Sequence, residues 1–263
     1  MTAPALVLVA PGSREPRVAS VATALRAELK HARPEITCEV AFSAAGSSLP
    51  GTIAKVVAGG AVEVVIVPLD LANAIDIDPA LQQAAVEARG VHPGLAVAVA
   101  RPVGPEASLL AVLDARLRSA LASARILELD GLVLSAESNG DVRGAALLAR
   151  RARQWSTHHR LPCLVAVADG TGPSVAHAIA GLRAQGRRHI AVGSLFWASD
   201  EAYLAQTEIA LRAGAHAVSE PLGATREITE LLLARYAFAA MDLLDTEAHV
   251  ADASGRADFA QIA

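Results

Sequence analysis

Acidic side chains recur directly after apolar stretches of this sequence, where a buried strand would end. Asp70, Asp76 and Asp78 lie in LDLANAIDIDP (residues 69–79), and Glu137 follows another apolar stretch. Carboxylates suit hard divalent cations, and gathering them away from water is costly without a cation. The sequence therefore predicts a site for a cationic ligand or for a divalent metal, with Asp70, Asp76 and Asp78 as ligands. The alternative is that these acids are helix N-caps and solvated loop residues.

A glycine-containing turn, GSR at residues 12–14, separates the first apolar stretch from a helical pattern. Free backbone N–H groups at a helix N-terminus attract anions, and an arginine adds a bidentate grip on a carboxylate. Gly12, Ser13 and Arg14 are therefore predicted to bind a carboxylate of the substrate. The competing interpretation is that Ser13 is only the N-cap of the following helix.

The sequence repeats itself, which indicates how these loops are positioned. LVLVAPGSREPR, from Leu6, aligns with LVLSAESNGDVR, from Leu132, at an offset of 126 residues. The offset shortens later, where RPVG from Arg101 aligns with EPLG from Glu220. Both copies then end in an apolar helical pattern. We therefore predict two tandem halves of one design.

Within each copy, apolar strands alternate with helical patterns. The predicted strands are Ala5–Ala10, Thr37–Phe42, Val62–Pro68, Leu95–Ala100, Gly131–Ala136, Cys163–Ala168, His189–Ser194 and Ala217–Ser219. Such alternation is typical of parallel sheets covered on both faces. The predicted fold is α/β, with two tandem halves, each a four-stranded parallel sheet flanked by helices, facing across a cleft. The predicted divisions are residues 1–125, residues 126–243 and a polar tail at 244–263.

Composition excludes several function classes. The 263 residues are 53% hydrophobic and carry a net charge of −4, too mild a charge to favour nucleic acid or an anionic membrane as partner. The sequence shows no signal peptide and no uninterrupted membrane-spanning stretch. Its two cysteines, Cys38 and Cys163, fall in strand-like runs and are predicted to be buried thiols in a reducing compartment. We therefore expect a cytoplasmic protein with a small-molecule ligand.

The histidines do not coincide with the predicted strand tips. The chain has eight of them, and they fall in helix ends, turns, an exposed helix face, a strand start and the tail. The adjacent pair His158 and His159 is by itself weak support for a metal site. Solvated histidine is the prediction for each.

LVLVAPGSREPR resembles the opening of the sirohydrochlorin chelatases, the CbiX/SirB-type class II chelatases, which commonly read V-x-A-H-G-S-R-D-P-R. The two-copy layout is similar to the double-length actinobacterial form, and the resemblance covers roughly residues 5–240. It implies a protein of siroheme or cobalamin biosynthesis. Such a protein inserts Fe²⁺ or Co²⁺, as a substrate, into a tetrapyrrole, and no tightly bound cofactor is implied.

This sequence departs from the family where the family grips its metal with two histidines at strand tips. Pro11 stands at the first histidine position and Glu137 at its counterpart in the second copy, while LDLANAIDIDP has no histidine. Neutral imidazole both holds these ions and accepts protons near pH 7, whereas proline does neither. If the chain is an active chelatase, carboxylates must replace the histidines: Asp76 and Glu137 are then the predicted catalytic residues, and Asp70, Asp76 and Asp78 the predicted metal ligands.

Two functions are consistent with this pattern. The first is a chelatase that uses carboxylates as ligands and bases, with arginines offsetting the acidic cleft toward a carboxylate-rich tetrapyrrole. These arginines are Arg14, Arg17, Arg101 and Arg143. The second is an inactive pseudo-chelatase that binds or delivers a tetrapyrrole, or partners an active paralogue. A repurposed enzyme with another substrate is a third class.

Overall fold

A computed structural model describes residues 3–12, 15–43 and 48–260 of the chain, the last part as backbone only from residue 244. The strands are β1 (Ala5–Ala10), β2 (Cys38–Phe42), β3 (Glu63–Pro68), β4 (Ala96–Val99), β5 (Gly131–Ala136), β6 (Cys163–Val167), β7 (Ile190–Leu195) and β8 (Ala217–Val218). The helices are α1 (Pro16–Ala32), α2 (Leu49–Ala58), α3 (Pro79–Val91), α4 (Leu109–Ser123), α5 (Val142–His159), α6 (Val175–Ala184), α7 (Glu201–Arg212) and α8 (Arg226–Ala260).

The strands form two four-stranded parallel sheets of the same topology. Their orders are β2-β1-β3-β4 and β6-β5-β7-β8. The central strands β1 and β5 are buried along their whole length, as their uninterrupted apolar sequences require. The predicted fold class is thereby confirmed.

The two halves differ in length at one connection. Between Pro68 and Pro79, β3 and α3 are joined by ten residues, whereas five residues join Leu195 of β7 to Glu201 of α7. Upstream of this point the offset of 126 holds, because α2 and α6 begin at Leu49 and Val175. The five extra residues lie within segment 69–78, which contains Asp70, Asp76 and Asp78.

Each sheet has an outer face covered by its own helices. In the first sheet, Val7 and Ile66 pack in one cluster with Ile53 of α2 and Leu81 of α3. The second sheet is covered in the same way by α6 and by Ala210 of α7. Apolar burial on these faces is the main force that stabilises each sheet.

The inner faces share one core, and two helices are exchanged across it. Helix α4 follows the first sheet in sequence but packs on β7 and β8 of the second sheet. Helix α8 follows the second sheet but packs on β3 and β4 of the first. A single hydrophobic cluster therefore contains Leu6 and Leu8 of β1 together with Leu132 and Leu134 of β5. The chain boundary predicted at residue 125 stays a prediction, but the halves on either side of it are interlocked.

Polar contacts hold the exchanged helix α8 in place. Arg235 of α8 donates to the backbone oxygens of Pro102 and Val103, each at 2.9 Å. The Tyr236 hydroxyl donates to the carbonyl of Pro4 at 2.7 Å. These bonds satisfy carbonyls in loops of the first half that the sheet ladder leaves unpaired.

The C-terminal segment is more regular than its sequence suggests. The polar residues after 243 show no clear period, and the sequence predicts a tail there. The backbone of α8 extends through them to Ala260, and the division at residue 244 stays a prediction. Across the described residues, no helix has the length and apolarity needed to cross a membrane.

Candidate functional site between the strand tips

A cavity of about 230 Å³ lies between the carboxyl ends of the two sheets. Val9, Pro11 and Pro68 line it from the first sheet, and Ala136 and Leu195 from the second. The carboxyl ends of parallel strands are where open α/β sheets bind their ligands, because loops and helix N-termini converge there. The predicted cleft is therefore present, and Pro11 does stand in its wall.

Glu137 is the most perturbed carboxyl group of this cavity. The residue keeps much of its surface open to solvent, but burial of the carboxyl against the cavity wall raises its pKa, and the charges of Asp200, Asp70 and Asp169 raise it further. The pKa of Asp200 is also raised, first by burial and then by Glu15. Like charges in a partly dry site disfavour one another, so this region favours a proton or a cation.

Asp70 lines the cavity but its oxygens already have partners. Oδ1 accepts the backbone N–H groups of Ala72 at 2.8 Å and Asn73 at 3.0 Å, and Oδ2 accepts from the Asn73 amide at 2.7 Å. This arrangement is a turn built around an aspartate, which shapes the start of segment 69–78. Asp70 therefore contributes negative charge to the cavity while it holds the loop.

Asp78 also lines the cavity and is the N-cap of α3, accepting from Ala80 N–H at 2.8 Å. Asp76 is exposed, and its carboxylate is not in the cavity wall. Within the described residues, Asp70, Asp76 and Asp78 do not form a convergent group of ligand atoms. Their role as metal ligands stays a prediction. The alternative interpretation, a helix N-cap, applies to Asp78.

Asp141 has a role that the sequence did not indicate. Its Oδ2 accepts three consecutive backbone N–H groups of the first half, from Ala74 at 3.0 Å, Ile75 at 2.7 Å and Asp76 at 2.8 Å. Its Oδ1 caps α5 through Gly144 N–H at 2.6 Å. Burial works to raise the pKa of Asp141, but these backbone hydrogen bonds outweigh it and lower the pKa to about 2.

Two glycines of the second half allow segment 69–78 to pack closely against it. A Cβ atom added to Gly140 or Gly144 would lie 2.3 Å or 2.0 Å from the backbone oxygen of Ala72. Gly140 also has φ +68°, a conformation that glycine adopts without strain. The Asn-Gly-Asp run before α5 indicates a tight turn in the sequence. It does not indicate that the turn packs against segment 69–78 of the first half.

The GSR turn is described only at its first residue. Gly12 is exposed with φ +81°, a backbone conformation that favours glycine. It borders a second groove of about 430 Å³ that Glu15, Asp200 and Glu201 also line. Ser13 and Arg14, the other predicted substrate-binding residues, lie outside the described residues.

An apolar wall completes the site. Leu195, the last residue of β7, and the two residues after it, Phe196 and Trp197, line the cavity, and Trp197 is only 2% exposed. The buried Trp197 Nε1 has no hydrogen-bond partner within the part of the chain that the structure describes. The cavity wall therefore combines apolar side chains with carboxylates, as ligand sites commonly do.

Comparison with known proteins agrees with this geometry. The CbiX family model matches residues 5–120. SirB from Bacillus subtilis, with Fe³⁺, superposes with a TM-score of 0.72 at 15% identity, over 90% of this chain and 96% of that one. The sirohydrochlorin chelatase SirB from Bacillus subtilis subspecies spizizenii, in complex with cobalt, gives 0.71 at 14% identity, over 91% of this chain and 96% of that one.

CbiX, described as the terminal enzyme of siroheme biosynthesis in denitrifying bacteria, gives a TM-score of 0.62 at 18% identity, covering 89% of this chain and 99% of its own. No curated protein sequence matches the chain. The family model thus supports the resemblance over residues 5–120, and at these identities the solved structures show the fold alone.

Proposed function

We propose that this chain, which has the chelatase fold and matches the CbiX family model over residues 5–120, inserts Fe²⁺ or Co²⁺ into a sirohydrochlorin-type tetrapyrrole between its strand tips. The observation that carries the proposal is Glu137. It lies at the end of β5, in the cavity wall, with a raised pKa and three neighbouring carboxylates.

Insertion of a divalent ion requires the macrocycle to release two pyrrole protons. A carboxylate with a raised pKa is a better proton acceptor than an ordinary surface carboxylate, because its conjugate acid is more stable. Glu137 is the proton acceptor in this proposal. The negative charge of Asp70 and Asp200 holds the incoming cation nearby, and Asp76 on the exposed loop is a first contact for it.

The acidic cavity must still accept a ligand that carries carboxylates of its own. Arg17 in the first turn of α1 and Arg143 in the first turn of α5 are exposed near helix N-termini. Helix N-termini and arginines both favour carboxylates. The macrocycle's rim charges therefore have partners away from Glu137, and its centre faces the acids.

A second function, tetrapyrrole binding without metal insertion, is favoured by a different observation. Carboxylate oxygens of Asp70 and Asp78 already accept backbone hydrogen bonds, and among the described residues no histidine lines the cavity. A site with so few uncommitted ligand atoms would hold a transition ion weakly. Such a protein would carry a tetrapyrrole or partner an active paralogue.

The test is metal insertion into sirohydrochlorin, followed by the change in visible absorbance with Co²⁺ at pH 8. We expect the purified chain to accelerate insertion over the protein-free rate, and Glu137→Gln to lower the accelerated rate about 10²-fold. Glu28→Gln, on the exposed face of α1, is the matched control and should keep the full rate.

Tetrapyrrole binding is measured in parallel by fluorescence quenching. If the chain binds the tetrapyrrole but does not accelerate metal insertion, the enzyme proposal is wrong and the function is tetrapyrrole binding. Absence of both binding and acceleration would contradict both functions. A Pro11→His variant that gains activity in an inactive parent would show that only the metal ligand is missing.

A further inference from the structure

A second group of potential metal ligands lies outside the strand-tip cavity. Asp114 on α4 and the adjacent His158 and His159 at the end of α5 each offer one ligand atom, and these atoms all lie within 4.8 Å of one another. Among the described residues this is the group of histidines, cysteines and acids that converges in this way. We propose that it binds a divalent transition ion such as Zn²⁺.

The carboxylate of this group is held in place before any ion arrives. Asp114 is 8% exposed and projects from the buried face of α4, where an uncompensated charge would be costly. Its Oδ2 pairs with Arg118 at 3.1 Å, one helical turn away. Its Oδ1 lies 2.6 Å from His159 Nε2. A ligand oriented by a neighbouring donor is the usual arrangement around protein-bound metals.

The two imidazoles are also ordered by their surroundings. The His159 ring packs edge-on against buried Trp155, with centroids 5.6 Å apart, and the His158 ring lies 4.9 Å from that of His159. Adjacent helical residues normally diverge, but these two rings approach each other in the last turn of α5. His158 is exposed, so its ring nitrogens are accessible to an ion.

The donor set indicates the class of ion. Two imidazoles and one carboxylate suit Zn²⁺, Co²⁺, Ni²⁺ or Fe²⁺, whereas Mg²⁺ and Ca²⁺ require mostly oxygen ligands. Tetrahedral ligands of Zn²⁺ stand about 3.3 Å apart. The His159–Asp114 contact would therefore open slightly and His158 would close in, movements that side-chain rotations provide. The C-terminus of α5 adds a favourable negative dipole end.

A bound ion at this place would link the exchanged helix α4 to α5 of the second half. It would act at the far end of α5, since Asp141 caps the end that faces the cavity. The site is thus independent of the proposed chemistry at Glu137. It goes beyond tetrapyrrole metalation and would be a structural or sensory metal site.

The experiment titrates Zn²⁺ into the full chain by calorimetry at pH 7.5. We expect His158→Ala and Asp114→Asn each to weaken binding about tenfold or more. His31→Ala is the matched control, because His31 is also an exposed histidine in the last turn of a helix, α1. It should bind as the unaltered chain does. His158 is exposed, so its replacement should leave the fold intact, which a thermal melt checks.

Strand-tip carboxylates also attract cations, so the readout must identify imidazole. The visible absorption of bound Co²⁺ reports nitrogen ligands, and we expect its spectrum to be lost in His158→Ala and retained in Glu137→Gln. Lowering the pH to 5.5 should weaken binding about tenfold or more, because imidazole must be neutral to bind. Unchanged Zn²⁺ affinity and an unchanged Co²⁺ spectrum in both His158→Ala and Asp114→Asn would overturn the proposal.

Discussion

Pro11 and Glu137 occupy equivalent strand tips of the two halves but differ in chemistry. Pro11 has no group that binds an ion or a proton, and it contributes wall surface to the cavity. Glu137 has a carboxyl group whose pKa is raised first by burial and then by neighbouring acids. Of these two equivalent strand tips, only the one in the second half therefore carries a titratable side chain, although the sequence motif that resembles the chelatases lies in the first.

The perturbed pKa of Glu137 predicts a cost in stability at neutral pH. A carboxyl group with a raised folded-state pKa favours folding below its unfolded pKa, and that contribution is lost as the pH rises through the folded value. Glu137→Gln should therefore raise the melting temperature at pH 7, by about 1–2 °C given solvent screening. The difference should vanish near pH 4.

Melting curves at both pH values test this, with Glu28→Gln as a control expected to show no such pH-dependent gain. A lower melting temperature for Glu137→Gln at pH 7 would show that its charge is stabilised by partners in the folded protein. The acidic character proposed for the cavity would then be wrong.

At the scale of elements, segment 69–78 is what joins the two strand tips. It is longer than its counterpart in the second half, and the extra length lets its backbone reach the N-terminus of α5. Asp70 accepts backbone hydrogen bonds at the start of the segment, and Asp141 of the other half accepts backbone hydrogen bonds from its middle. The position of the cavity wall is therefore set jointly by residues of both halves.

Replacing Asp141 should loosen this connection. Asp141→Ala removes a helix cap and the acceptor of three loop N–H groups, so we expect a loss of about 2–3 kcal/mol of unfolding free energy. Asp78→Ala is the control, because it removes one cap bond within a single half and should cost about 1 kcal/mol. Chemical denaturation measures both values.

The charge of Asp141 also predicts a pH dependence. Its pKa is lowered to about 2 in the folded chain, so its contribution is present above about pH 4 and is lost as the pH falls toward 2. The difference between the unaltered chain and Asp141→Asn should shrink over that range. Equal costs for Asp141→Ala and Asp78→Ala at pH 7 would mean that the contact between halves adds nothing.

For the whole molecule, the exchange of α4 and α8 decides how the halves behave. Each helix completes the inner face of the sheet that it does not follow in sequence. Leu113 of α4 illustrates this, since its side chain lies against Gly193 of β7. A duplicated design has thus produced one interlocked unit with a shared core.

We therefore predict that neither half folds alone. A fragment of residues 1–125 would expose the apolar face of α4 and leave β3 and β4 without α8. It should melt without a cooperative transition and bind a hydrophobic dye, while co-expression with residues 126–263 should restore a single cooperative melt. A cooperative melt of the isolated first fragment would contradict the exchange.

The sequence by itself determined the strands, most helix positions and the two-fold repeat. Apolar runs such as Ala5–Ala10 are too short for a typical helix and are followed by a Pro-Gly turn, which favours buried strands. The offset of 126 residues is read directly from the sequence. The acids at the strand ends were also visible, because parallel strands bring their carboxyl ends to one edge.

Only the tertiary structure decided which hydrogen bonds each acidic side chain makes and which sheet each helix covers. Asp70, Asp78 and Asp141 all lie shortly after apolar stretches in the sequence. In the structure Asp70 shapes a loop, Asp78 caps α3, and Asp141 accepts backbone hydrogen bonds from the other half. Likewise, the apolar stripe of α4 predicts burial but not its partner. The physical reason is that hydrophobic burial and hydrogen bonding specify the type of contact, whereas its partner depends on chain geometry far away in sequence.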